Sequence, residues 1–155
     1  MKKSEIKAAL DALKEIKIAK FEDKDVRNTL IDDHFALLDA GKKVDAQIEA
    51  KRTVFLDSYK DEEQAVQELQ NKMNEASTRE EQVELAKQMR EEHKDYLDAV
   101  KDFNESVSEL YNEEVEITQI DKDKLMDELK KQDLKLSWVE ALYPIFKFWL
   151  FQEKR

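Results

Sequence analysis

From Val44 to Ala76 the chain reads VDAQIEAKRTVFLDSYKDEEQAVQELQNKMNEA, and one set of residues recurs through it in steps of three and four. These are Val44, Ile48, Arg52, Phe55, Tyr59, Glu62, Val66, Leu69, Met73 and Ala76. A second ladder follows in the same rhythm through Gln82, Ala86, Met89, His93, Tyr96, Val100, Phe103, Val107 and Leu110. That spacing keeps one stripe of a helix turned towards a partner, because an under-wound helix returns a seam position about every 3.5 residues. Between the ladders, Ser77 and Thr78 interrupt the pattern, and Thr78 with Glu81 has the form of a capping box. The reading is an all-α protein built on a long antiparallel coiled-coil hairpin, with an arm over 43–112, a turn near 74–78 and a small helical base from 1–42 and 113–155.

The composition agrees with this reading and excludes alternatives. Of 155 residues, 41% are charged, and there is one glycine, one proline and no cysteine; the mean hydropathy is -0.80. A chain so poor in glycine and proline cannot make the tight turns of a β-sandwich or the phosphate loop of a nucleotide-binding fold. The lack of cysteine removes disulfides, thiol catalysis and Cys-type zinc sites, and fits a reducing interior. Met1-Lys2-Lys3 does not open a signal peptide, and no stretch approaches the roughly 18 apolar residues of a membrane span. The expectation is one soluble domain in the cytoplasm.

The base is read from both flanks of the arm. Ser4 is positioned to cap a first helix with Ile6, Ala9, Leu10 and Leu13 on its apolar face, and Asp23 or Asp25 to open a long helix through Val26, Leu30, His34, Leu37, Gly41 and Val44. Ile16 to Phe21 and Val115 to Ile120 alternate and are expected to pair as a minimal two-stranded β-ribbon. Asp121 or Asp123 caps a short helix with Leu125, Met126 and Leu129, and Ser137 with Glu140 opens another before Pro144. The lone glycine, Gly41, reads as a kink or a close approach of helices.

Formal charge is -10, unevenly distributed: Asp57 to Glu116 holds nineteen acids against seven bases. This region should repel nucleic acid, which requires a basic stripe. It is either a solvated helical exterior or an acidic face, with Glu91, Glu92, Asp95, Asp98 and Asp102 exposed on the return helix, that docks on a basic protein as a nucleic-acid mimic. At the other end, Trp138, Tyr143, Phe146, Phe148, Trp149 and Phe151 concentrate aromatic area. They either cover the base as core or anchor a protein partner or a second copy, with membrane-surface attachment as a third reading.

The sequence carries no recognisable catalytic or metal-site signature. His34 and His93 both fall on or beside the ladders, and neither has the glutamate three residues earlier that a di-metal bundle requires. Asp121-Lys122-Asp123-Lys124 begins like a calcium loop but lacks its glycine. The expectation is a non-enzymatic protein with no cofactor and no bound metal, whose role is protein interaction.

The succession of Leu10-Asp11-Ala12-Leu13, Ile16-Lys17-Ile18, Asp25-Val26-Arg27, a returning acidic helix and Glu113-Glu114-Val115-Glu116-Ile117 is similar to small phage and prophage proteins of undefined role. The resemblance spans about residues 5–120 and, more loosely, the terminal helices. It implies a helical hairpin on a small base, encoded among late structural and assembly genes. By the same resemblance, the role is phage assembly or virion association without catalysis, in the host cytoplasm or the virion.

Overall fold

The computed structural model describes residues 1–147, and these are overwhelmingly helical. Seven α-helices follow in order: α1 (Ile6–Glu15), α2 (Lys24–Phe55), α3 (Lys60–Glu75), α4 (Arg79–Glu92), α5 (Lys94–Asn112), α6 (Lys122–Lys130) and α7 (Leu136–Leu142). Two short strands, β1 (Ile120–Asp121) and β2 (Phe146–Lys147), pair in parallel with Ile120 opposite Phe146. No helix among the described residues is long and apolar enough to cross a membrane. The chain divides into two units, one formed by 1–45 with 110–155 and the other by 46–109.

The first unit holds nearly all the core. Leu13, Phe21, Leu30, Leu37, Leu125, Leu129, Leu142 and Ile145 are almost wholly excluded from solvent. Several of the caps that organise it sit where the sequence places them. Asp23 Oδ1 accepts the backbone N–H groups of Asp25 and Val26 at 3.0 and 3.1 Å, and Asp121 Oδ1 accepts that of Lys124 at 3.0 Å. Others are corrected. A 3₁₀ turn over Lys3–Glu5 precedes α1, with Lys2 at its N-cap position donating its backbone N–H to Glu5 at 2.7 Å, so Ser4 lies inside the turn. Likewise α7 begins at Leu136, which puts Ser137 within the helix.

The expected ribbon partners do not pair with each other. Residues 16–21 form a 3₁₀ turn over Ile18–Lys20, and side chains of α6 and of the residues just after it bond to the backbone on either side of that turn. Gln132 both accepts the N–H of Lys17 and donates to its carbonyl, each at 2.9 Å. Glu128 accepts the N–H groups of Glu22 and Asp23, each at 3.1 Å. Within the segment itself the N–H groups of Ile18, Lys20 and Phe21 donate to the carbonyls of Ile16, Lys17 and Ile18, so they are not free for a ladder. The stretch 113–118 is tied elsewhere: the Lys3 N–H donates to the Glu113 carbonyl and the Val115 N–H to the Met1 carbonyl, both at 2.8 Å. The chain does carry a two-stranded sheet, but β2 comes from after Pro144.

In the second unit, residues of the two ladders meet. Arg52 lies over the Phe103 ring at 5.6 Å, the rings of Tyr59 and Tyr96 are 6.0 Å apart, and Glu62 approaches His93 Nδ1 at 3.5 Å. Gln82 donates to the Met73 carbonyl at 3.4 Å. From Arg52 the steps are seven, three and eleven residues along the first ladder, and from Phe103 the same steps run back along the second, so the pairing is antiparallel and holds its register. The helices themselves are interrupted where continuous arms are expected, at Leu56–Tyr59 and at His93. Thr53 bonds back to the Glu49 carbonyl at 3.1 Å just before the first break, and Asp57-Ser58 inside it are residues that compete for backbone groups. The unit's core is thin, with Leu69 its one buried hydrophobe. Between α3 and α4, Thr78 Oγ1 accepts the Glu81 N–H at 3.2 Å, and the Glu81 carboxylate accepts the Ser77 N–H at 3.3 Å.

Candidate functional site

Within the first unit, α1 and the middle of α2 leave a cleft of about 650 Å³ beside their contact. Its position follows from two stripes. On α1, Ile6 and Leu10 stand one helical turn apart; on α2, Leu38, Gly41 and Val44 recur every third residue and face them. Without a side chain at Gly41, a Cβ built there would lie 3.5 Å from Ile6 Cγ2 and from Leu10 Cδ1. That is ordinary contact distance. α2 continues as helix through this residue, and α1 comes no closer to it than an ordinary side chain would allow, so the close approach expected from the sequence is not one that requires glycine.

The apolar floor of the cleft is completed by Tyr111 from the last turn of α5, and the border is charged. Lys3, Lys7 and Lys14 come from the first helical segment and Lys42 from α2, against only Asp11 and Asp45. Lys3 is held by Glu113 at 2.6 Å. Among the described residues, Lys7, Lys14 and Lys42 have no ion-pair partner. In a chain of net charge -10 this is a local cationic border around a hydrophobic strip. A surface of that kind suits a ligand with an apolar body and several negative charges.

Comparison with protein-family models, curated proteins and solved structures finds no significant match for this chain. The residues themselves therefore carry the functional argument.

Of the aromatic residues singled out in the sequence, the three that are described, Trp138, Tyr143 and Phe146, do not form one exposed surface. Trp138 is buried, and its indole N–H donates to Glu15 Oε2 at 2.9 Å, with Lys135 Nζ 3.1 Å from the same oxygen. Those two donors, Trp138 first, hold the Glu15 carboxyl below its ordinary range. Phe146 is buried in β2, its ring 6.3 Å from that of Tyr143. Tyr143 is 60% exposed. Phe148, Trp149 and Phe151 lie outside the described residues. The acidic set behaves differently: Glu91, Glu92, Asp95, Asp98 and Asp102 are all exposed on α4 and α5.

His34 and His93 are both half-buried. Among the described residues no three His, Asp or Glu side chains are grouped to hold a metal ion.

Three features escaped the sequence reading. The lysine border was legible only as Lys7 and Lys14, seven residues apart beside the apolar stripe of α1; that α2 would face them was not. Asp33 is 2% exposed in α2, on the same stripe as Leu30 and Leu37, and accepts the Thr118 N–H at 2.9 Å. Burial pushes its carboxyl up to about 6, opposed by the Thr118 bond and reinforced by neighbouring Asp32. Glu128, next to Leu129 on α6, is 5% exposed. Burial alone would raise its carboxyl, but the N–H groups of Asp23 and Glu22 with Lys131 outweigh this and hold it low. The spacing Leu30-Asp33-Leu37 and the run Leu125-Glu128-Leu129 were the available signals of carboxylates on an apolar face.

Proposed function

We propose that this chain is a non-catalytic protein-interaction and assembly module, of the phage- or prophage-encoded helical kind that its sequence resembles. The observation that carries the reading is the lysine-bordered apolar cleft between α1 and α2. Its floor offers hydrophobic area and its cations offer orientation, the combination by which protein interfaces obtain affinity and specificity.

A second reading is supported by the exposure of Glu91, Glu92, Asp95, Asp98 and Asp102 together on the return helices. In it, this acidic face docks on a basic protein and occludes a nucleic-acid site. The two readings place the partner on different surfaces. A photo-cross-linking residue introduced at Lys7, Asp98 or Tyr143 in producing cells separates them. A discrete protein adduct at Lys7 supports the assembly reading, and one at Asp98 the inhibitor reading. No adduct at any of the three positions rejects an interaction role altogether.

A further inference from the structure

We infer that the cleft beside Gly41 is the docking groove for an acidic amphipathic helix of another protein. This deepens the proposed function and rests on it, by assigning the chemistry of the partner. Three observations point to that occupant. The floor is a strip between two helices, the form of groove into which a helix lays an apolar face with anchors at i, i+3, i+4 and i+7. Lys7 and Lys14 stand two turns apart on one wall, roughly 10 Å at 1.5 Å per residue, and Lys42 stands on the other. A helix lying in the groove with carboxylates seven residues apart would meet both α1 lysines and present a further acid to Lys42.

The spread of charge decides against the alternatives. A fatty acid or similar amphiphile brings one anionic group, which would reach one lysine and leave the others as they are. The chain's own acidic helices supply charge without a matching apolar stripe, since Val83 is the sole large exposed hydrophobe across α4 and α5 up to residue 109. A second copy docking through α4 and α5 would satisfy the border but not the floor, and the exposed Ile31 and Phe35 of α2 make self-association one of the outcomes to be measured.

The test uses the full chain and a labelled synthetic peptide of about 15 residues. It carries leucine at i, i+3, i+4 and i+7 and glutamate along both flanks, and binding is followed by fluorescence anisotropy. The expected result is saturable binding that weakens as sodium chloride rises, because exposed charges are screened over about 10 Å at 0.1 M salt. Binding should fall tenfold or more in Lys7→Glu/Lys14→Glu/Lys42→Glu. The same variant should gain affinity for a peptide in which each glutamate is replaced by lysine, a recovery that a merely unfolded protein cannot show. Should the triple reversal fail to fold by circular dichroism, Lys14→Gln/Lys42→Gln replaces it, with a loss of about threefold or more expected.

Equal binding of the glutamate peptide and its glutamine counterpart would overturn the assignment, as would binding unchanged by either set of substitutions. So would absence of peptide binding alongside saturable uptake of oleate, sedimentation with vesicles of phosphatidylglycerol, or self-association that the lysine reversals abolish. A cross-linked protein adduct at Tyr143 or Asp98 with no peptide binding would reject this groove while leaving the interaction role intact.

Discussion

The carboxylate of Asp33, buried in α2, accepts the backbone N–H of Thr118 at 2.9 Å, and its second oxygen has no hydrogen-bond partner. A charged group held in this way favours its protonated form, which is why burial raises it to about 6. In the unfolded chain an aspartate titrates near 3.9. Between those values the folded state binds the extra proton, so the contribution of Asp33 to stability is fully present below about 4 and is lost as pH rises through about 6, by on the order of 2 to 3 kcal/mol in full.

Thermal or urea unfolding followed from pH 4.5 to pH 7.5 should therefore show a fall in stability that Asp33→Asn removes. Asparagine keeps an acceptor for Thr118 without the charge. A pH profile identical in the variant and the parent chain would show that Asp33 does not titrate in this range.

Glu128 carries the opposite sign. Its carboxyl is held below the ordinary value, so its contribution is present at neutral pH and is lost as pH falls through that lowered value. Glu128→Ala would leave the N–H groups of Glu22 and Asp23 without their partner, at a cost of about 2 kcal/mol or more. Amide exchange should locate the damage at residues 17–23. Loss of protection spread evenly through α2 to α5 would contradict a local clamp.

The two backbone positions most suited to stabilising exchange are Gly41 and Asp133. Gly41→Ala places its methyl at ordinary contact distance from Ile6 and Leu10 and improves helix propensity, for a gain of about 1 kcal/mol. Asp133 has φ 57° after α6, a left-handed conformation that glycine adopts more readily; Asp133→Gly should gain about 0.5 kcal/mol or more. Denaturant midpoints measure both. A drop in midpoint for Gly41→Ala would mean that α1 sits more tightly on α2 than 3.5 Å implies.

Burial separates two aromatic residues that the sequence groups together. Trp138→Ala removes a core side chain and should cost about 3 kcal/mol or more, whereas Tyr143→Ser at a 60% exposed position should cost under about 1 kcal/mol. If a partner is anchored through this end of the chain, Tyr143→Ser should weaken it at unchanged melting temperature. Weakening by Trp138→Ala alone, in step with lost stability, would remove Tyr143 from the interface.

The helical class and the caps at Asp23, Thr78 and Asp121 were set by local sequence. Each depends on spacing or on a side chain reaching a backbone group a few residues away. The shared three-and-four rhythm marks which residues of the two stretches can face each other, whereas a pairing such as Tyr59 with Tyr96 depends on where the turn falls. What remained closed to sequence reading required knowing which distant segments meet. Residues 16–21 and 115–120 have strand-like composition, but their hydrogen-bonding groups were taken partly by a local 3₁₀ turn and partly by Gln132, Asp33 and the first residues of the chain, the last three across separations of 85 residues or more. The same holds for the cleft. Lysines along one side of α1 look like ordinary solvated charge until tertiary packing brings α2 alongside and leaves apolar surface between them, because a groove belongs to two elements and is written in neither.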